Sequence, residues 1–477
     1  MRHVFWTLRA FSGSAFTACV ALGLAASVSW AASTKASVTD SPRCAAVTPF
    51  GALFVDPDGL DTDAGTRTHP VATLAQALML TAGEPGRTIY LVGGAHRLTE
   101  TLVIGPDHRG LSLRACAGQR PVLERSPVTA APLVVLRQTR DVTIEGLSFG
   151  ATAPDGAALL LDDVEDSLIV RNRIDSAGTS ILLQGTRHTT IQHNSIQNSA
   201  RTGIELKEDS DGNDIDSNII DGAGAPETHG GGIFLHGASR NLIIRNRVTA
   251  TAGMGIGVAN WDETTINLGN AVVANAVFRT NLTAEDSGAI YLLGRSQLET
   301  ATRVEDNWID TTGAPDRHTV GIYLDDSMSG VRVTGNVVRH AGSDAVQIHG
   351  GSHNTVRYNV LDLRAGTASA VLFQAAPADT NPNNRQEGNE VRANLILTDS
   401  LMPKLFVSLD GGQPLITGNI FYHARAPNLA GIPPVQDISP LFTDSGFQDA
   451  AETYTFDDPA TLARLGFPSL LATPNRP

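Results

Sequence analysis

The chain has 477 residues, 35 Lys and Arg against 49 Asp and Glu, a formal charge of −14, and only 5% aromatic residues. So acidic a surface repels nucleic acid and offers bulk polyanions no attraction, which excludes a nucleic-acid partner and makes a neutral glycan an easier ligand than an acidic one. The length allows two or three ordinary domains, yet the repeats described below require one elongated body.

The N-terminus has the features of a secretory signal. Arg2, His3 and Arg9 make a basic start, residues 15–30 are an apolar run too short to span a bilayer comfortably, and Ser29-Trp30-Ala31 fits a small-x-small cleavage site. Cys19 lies inside the run, which continues well past it, against a lipoprotein anchor. Residues 1–31 are therefore expected to be cleaved, leaving a secreted or periplasmic chain with no membrane segment. Losing Arg2 and Arg9 takes the charge from −14 to −16. The two remaining cysteines, Cys44 and Cys116, are expected to form a disulfide, as an isolated pair does in an exported protein, the alternative being two buried thiols. The bridge would tie the mature N-terminus to the first repeats and contribute about 4 kcal/mol if unstrained.

Residues 44–125 read as an end cap. Phe54-Val55-Asp56-Pro57-Asp58-Gly59 closes a strand in a turn, and Gly65-Thr66 and His69-Pro70 continue the turn chemistry. Thr73 then precedes a short amphipathic helix over 74–80, with Gly83 just beyond it. Residues 88–92 and 111–114 alternate as strands. A helix over the open end of a stack of strands shields its unpaired edge.

Residues 126–425 repeat. An Asn shortly followed by aliphatic residues recurs at Asn172, Asn194, Asn218, Asn246, Asn275, Asn307, Asn336, Asn359, Asn394 and Asn419, with spacings from 22 to 35 residues. A floor near 22 with variable additions predicts a fixed circuit of short strands with insertions confined to turns, a parallel β-coil. The Asn side chains are expected to bond up and down the coil at turns that tolerate left-handed backbone, a structural role.

Each repeat also carries an Ile-x-Leu-x strand, starting at Leu159, Ile181, Ile204, Ile233, Ile256, Ile290, Ile322, Val346 and Val371. First and third positions point inward, so the second and fourth form outward columns. One column runs Glu205, Phe234, Gly257, Tyr291, Tyr323, Gln347; the other runs Lys207, His236, Ala259, Leu293, Asp325, His349. Polar and aromatic residues crowd the middle of both. The longest insertions, 221–231, 260–269, 294–302 and 311–319, fall there too, and predict a walled groove at mid-rod. Residues 426–477 lose the period and read as a tail packing along the coil.

At this point the motifs resemble a known group. The Phe-Val-Asp-Pro-Asp-Gly…Gly-Thr…Pro-Val-Ala-Thr-Leu cap is similar to the start of many right-handed parallel β-helix (pectin-lyase-like) carbohydrate-active proteins. Asp286-Ser-Gly-Ala-Ile-Tyr, Gly321-Ile-Tyr-Leu-Asp-Asp and His349-Gly-Gly-Ser-His-Asn-Thr-Val resemble the core of their glycoside hydrolases, with family 141 the closest group. The resemblance spans most of 53–467. It implies an all-β solenoid, a carbohydrate substrate, and catalytic carboxylates at Asp286 and at Asp325 or Asp326; no cofactor is expected, save calcium if the protein is a lyase.

The residues themselves support parts of this. Asp325 faces outward beside His349 and precedes Asp326, and close like charges raise a carboxyl pKa, as a general acid requires; the alternative is a solvated turn aspartate. Asp286 meets a geometric difficulty. On straight strands it lies seven residues from Asp325, roughly 23 Å, whereas a carboxylate pair needs roughly 5–9.5 Å. A sharp bend at Ser287-Gly288 is needed; otherwise Asp286 is a turn residue bonding its own backbone. Asp262 is a second-ranked partner.

Tyr291, Tyr323, Phe234 and Trp261 are expected to offer sugar rings apolar faces, unless loops cover them. His236, His349 and His353 suit hydroxyl groups and lack the compact spacing of a metal set, so no metal is expected. The rival enzyme reading is a lyase, in which Lys207 beside Glu205, Glu208, Asp209 and Asp211 pairs a base with a calcium-bound uronate. A non-catalytic glycan-binding solenoid predicts no polar cluster at mid-rod. In every reading a monomer is expected.

Overall fold

The computed structural model describes residues 44, 48–225, 230–296, 298–313, 317–376, 386–400, 403–409 and 412–423, with short pieces at 441–442, 447–450 and 453–456. The expected signal segment and most of the expected tail lie outside the described residues. Among these pieces Leu441–Phe442 adds one more strand to a sheet, and Phe447–Ala450 pairs antiparallel with Thr453–Phe456.

Three parallel sheets of 14, 12 and 14 strands run the length of the coil. Apart from the terminal pairs, Leu53–Val55 with Thr88–Leu91 and Ile420–His423 with Leu441–Phe442, a strand pairs with the one three positions later in the chain, so one circuit contributes one strand to every sheet. The repeat pattern predicted this, and the register agrees residue by residue. Ile256 pairs with Ile290, Ile290 with Ile322, Ile322 with Val346 and Val346 with Val371. All are fully buried in one continuous aliphatic core. Short β-branched strands suit this because both sheet neighbours and the interior take up their stiff side chains.

The corners are held by the asparagines. Asn246 Oδ1 accepts from the backbone N–H of Asn218 at 2.9 Å and from its Nδ2 at 3.0 Å, while Asn246 Nδ2 donates to Ile215 O at 2.7 Å and Asn275 Oδ1 at 3.0 Å. The same pattern links Asn172 to Asn419 along the corner. The left-handed residue is not the Asn itself but the one before it, as at Arg171, His193, Ser217, Arg245 and Ala274. A second ladder, Asn213–Asn241–Asn270, runs along another corner and was not anticipated.

Helix α1 (Leu74–Thr81) caps the N-terminal end. Thr73 Oγ1 accepts from Gln76 N–H, and Leu74, Ala77 and Leu78 are buried against the first coils. Cys44 and Cys116 form the expected disulfide beside Phe54 and Val92. Among the described residues no helix is long and apolar enough to cross a membrane.

Candidate active site

Seven neighbouring strands of the 12-stranded sheet carry the predicted columns: β1 (Thr202–Lys207), β2 (Ile233–His236), β3 (Ile256–Asn260), β4 (Ser287–Gly294), β5 (Thr319–Asp325), β6 (Asp344–His349) and β7 (Ser369–Gln374). Tyr291 pairs in register with Tyr323, and Tyr323 with Gln347. Pointing out of the coil does not leave these rings exposed. Phe234, Tyr291 and Tyr323 are buried with Met254 and Leu293 in a cluster of their own. The two tyrosines meet edge to face, 5.4 Å between centroids, rather than stacking. Their burial corrects the expectation of three open sugar platforms. Trp261 alone of the four stays half-exposed; it lies over Phe234 at 5.6 Å.

Asp325, the last residue of β5, is 5% exposed and accepts three hydrogen bonds. The Tyr291 hydroxyl donates to Oδ2 at 2.6 Å, and Oδ1 takes the Asp326 N–H at 2.8 Å and His349 Nδ1 at 2.6 Å. The Tyr291 hydroxyl and the Asp326 N–H both donate to Asp325, an arrangement that suits a carboxylate rather than the general acid expected. Asp326 and Ser327 then turn left-handed (φ 39° and 72°). That turn aims the Asp326 carboxylate at Arg295, whose Nε and Nη2 reach Oδ2 at 2.7 and 2.6 Å. Arg295 Nη1 also donates to the Trp261 carbonyl at 3.0 Å.

Asp286 precedes β4 and takes the left-handed bend itself, with φ of 50°, one residue earlier than the expected bend at Ser287-Gly288. Its side chain is 71% exposed. The Tyr323 hydroxyl donates to Oδ1 at 3.2 Å, and His318 Nδ1 lies 3.1 Å from the same oxygen. The Tyr323 hydroxyl is also 3.5 Å from His349 Nδ1. Links of 3.2, 3.5 and 2.6 Å therefore place carboxylate oxygens of Asp286 and Asp325 no more than 9.3 Å apart. The straight-strand distance of roughly 23 Å does not apply, because the chain turns at Asp286 and a tyrosine spans the gap.

The protonation states follow from these contacts. The hydrogen bond from His318 holds the Asp286 carboxyl below its ordinary range despite partial desolvation, with the His318 charge and the Tyr323 hydroxyl adding to it. Burial pulls His349 down, but the hydrogen bond to Asp325 and the charges of Asp325, Asp326 and Asp286 outweigh it, leaving the imidazole above its ordinary value. Burial, then Asp325, push both tyrosines up, so their hydroxyls stay donors. His349 Nε2 is buried and has no partner among the described residues.

A cavity of about 610 Å³ opens over this cluster, lined among others by Met254, Trp261, Asp286, Tyr291, Arg295, Asp325 and His349. It is within the size range of small-molecule sites. Among the described residues Asp325, Asp326 and His349 form the one group of three ligand-type side chains close enough to share an ion, all within 4.8 Å. An ion there would have to displace Arg295 from Asp326.

Other expected residues lie elsewhere. Lys207 is four strands from Asp325, roughly 19 Å at the strand spacing, and its ammonium sits 4.0 Å from Glu205. Asp211 is occupied by Arg240 and the Ser239 N–H, so the acids around Lys207 do not converge on a calcium site. His236 lies beside Trp261, 6.0 Å between rings, and His353 pairs with Glu299 on the surface. Asp262 caps its own turn through Thr264 and Thr265, whose hydroxyls hold it well below the usual carboxylate range. Sequence reasoning missed His318, Arg295 and Gln347. His318 had a signal: Ser287 pairs with Thr319, so His318 is level with Asp286.

The family model described as a right-handed beta helix region matches residues 130–276. The fold is a right-handed parallel β-helix. No curated protein matches the chain. Among solved structures the β-helix is similar to a mannuronic acid specific polysaccharide family 6 lyase from human gut microbiota, at 12% identity and a TM-score of 0.51, over 77% of this chain and 88% of that one. It is also similar to the Dettilon tailspike protein, at 15% identity and a TM-score of 0.50, over 82% of this chain and 68% of that one. At such identities the likeness speaks for the β-helix alone.

Proposed function

We propose that the protein is an exported glycoside hydrolase acting on a neutral polysaccharide or oligosaccharide, of the kind the family 141 resemblance implies. One observation carries the reading: acids from separate coils, Asp286 and Asp325, meet through Tyr323 and His349 at the cavity. Asp286, ionised and open to solvent, is the nucleophile or water-activating base. His349 is the proton donor, its buried Nε2 without a partner among the described residues and its Nδ1 no more than 6.7 Å from Asp286 Oδ1, by links of 3.2 and 3.5 Å. Asp325 orients the ring and favours its charged form, as a buried carboxylate does for a catalytic histidine. Trp261 gives a sugar ring an apolar face.

A lyase is the second reading, favoured by the unpartnered His349 Nε2 as base with the Tyr323 hydroxyl nearby as acid. The lining weighs against it. Glu285, Asp286, Asp325 and Asp326 face Arg295, which is already paired, so an acidic sugar meets repulsion.

Purified protein assayed on aryl glycosides and plant, algal and microbial polysaccharides decides between them. Release of reducing sugar without the ultraviolet absorbance of an unsaturated uronate, lost in Asp286→Asn, supports hydrolysis. Unsaturated products, lost in Tyr323→Phe, would overturn it in favour of the lyase. Tight glycan binding without turnover would overturn both.

A further inference from the structure

Gln347 stands where the column of buried tyrosines ends. It pairs in register with Tyr323 and is fully buried. A buried amide is stable only if both of its ends are bonded. Gln347 Nε2 donates to Gln374 Oε1 on β7 at 3.1 Å, which leaves Oε1 facing His318 Nε2 at 2.7 Å. The other ring nitrogen, Nδ1, lies 3.1 Å from Asp286 Oδ1. Both neighbours of the ring are thus oxygen acceptors, and an imidazole between two acceptors donates from both nitrogens only as the imidazolium. Tyr323 fixes the ring plane edge-on, 5.6 Å between centroids.

We infer that Gln347 is a positioning residue: by accepting a hydrogen bond from His318 Nε2–H it keeps that ring a double donor, which holds Asp286 Oδ1 and leaves Oδ2 to meet the substrate. This rests on the reading of Asp286 as the reactive carboxylate. The charges facing the ring agree with it. Asp286 on the preceding coil and Asp344 on β6 are acidic, and Arg317, next along the chain, is drawn toward Glu285 at 3.9 Å. The hydrogen bond to Asp286 raises His318 above its ordinary value; burial opposes this, and the bond to Gln347 reinforces it. Were the amide turned over, its NH2 would face the ring and Nε2 would become an acceptor. His318 would then be neutral and Asp286 would lose its counter-charge.

Nitrogen-15 histidine NMR on the full chain reads this directly, with the His318 signal assigned by its loss in His318→Gln. Gln347→Leu, close to isosteric, is expected to lower the His318 midpoint by about one pH unit, and Gln347→Glu to raise it. On a glycan that the wild type turns over, Gln347→Leu also lowers kcat/KM in the pH range above the lowered His318 midpoint, where the ring is neutral, and Gln347→Glu restores it. A His318 midpoint that Gln347→Leu leaves within a few tenths of a unit overturns the inference. If the midpoint moves as expected while the wild type hydrolyses nothing, the His318–Gln347 pair stands and only the hydrolase reading falls.

Discussion

Replacing Asp325 by asparagine changes the shape of the site almost nowhere and its chemistry at one point. The amide that results has a single acceptor oxygen. Placed where Oδ1 now lies, that oxygen keeps the Asp326 N–H and His349 Nδ1–H, so the amide NH2 confronts the Tyr291 hydroxyl that now donates to Oδ2 at 2.6 Å. One charge-assisted hydrogen bond is lost and a buried phenol proton is orphaned, a cost of about 1.5–3 kcal/mol. The larger effect falls on His349. Without the carboxylate, burial dominates and the ring drops toward or below the ordinary histidine value of 6.5. It is then mostly neutral at pH 7 and has no proton to give. Asp325→Asn should therefore lower kcat/KM at pH 7 by about 10²–10⁴-fold, with KM little changed. Stability follows the same ring. A histidine raised in the folded state stabilises fully below its unfolded value, about 6.5, and loses that contribution as pH rises through the folded value. The stability gap between wild type and Asp325→Asn, measured by urea unfolding, should be widest below the unfolded histidine value of about 6.5 and narrow as pH rises through the folded value of His349. Retention of activity within threefold at pH 7, or a gap that widens with pH, would refute the assignment.

Three further outcomes are expected. The wild-type rate profile should be bell-shaped, with an acid limb below the ordinary carboxylate value of 3.8, because Asp286 is held down, and an alkaline limb above 6.5, because His349 is held up; an alkaline limb below 6.5 counts against His349, and an acid limb above 3.8 against Asp286. Trp261→Ala should weaken glycan binding by about three- to tenfold, the worth of one ring face, without lowering the melting temperature; isothermal titration with an Asp286→Asn background reads it. Asn246→Ala strands the Asn218 N–H and the Ile215 carbonyl in the buried corner. At about 1–3 kcal/mol each, urea unfolding should show a loss of about 2–6 kcal/mol, and a loss below 1 kcal/mol would deny the ladder its structural role.

What could be read from the sequence was whatever recurs once per coil. Each Ile or Val at the inward position faces the same partner one circuit later, so spacing alone recovered the register from Leu159 to Val371. The Asn172–Asn419 ladder was legible for the same reason. The ladder through Asn213, Asn241 and Asn270 carries the same signal, five residues ahead of Asn218, Asn246 and Asn275, but it lapses at Thr302 and Val331 before Asn354 and Asn389 resume it. The site does not recur, and there counting residues fails in two ways. Outward is not exposed: Tyr323 points away from the coil and is still fully covered, packed with Tyr291, Val320 and their neighbours in a cluster outside the main core. Nor is distance along a strand distance through space once a corner intervenes. Seven residues of straight strand separate Asp286 from Asp325 by roughly 23 Å, yet one left-handed residue and the length of one tyrosine bring their oxygens within 9.3 Å. Residues that act together on such a coil should therefore be sought where a strand end meets a left-handed corner, as Asp286 and Asp326 do, and the strand positions between them supply the hydroxyls and amides that hold those corners in place.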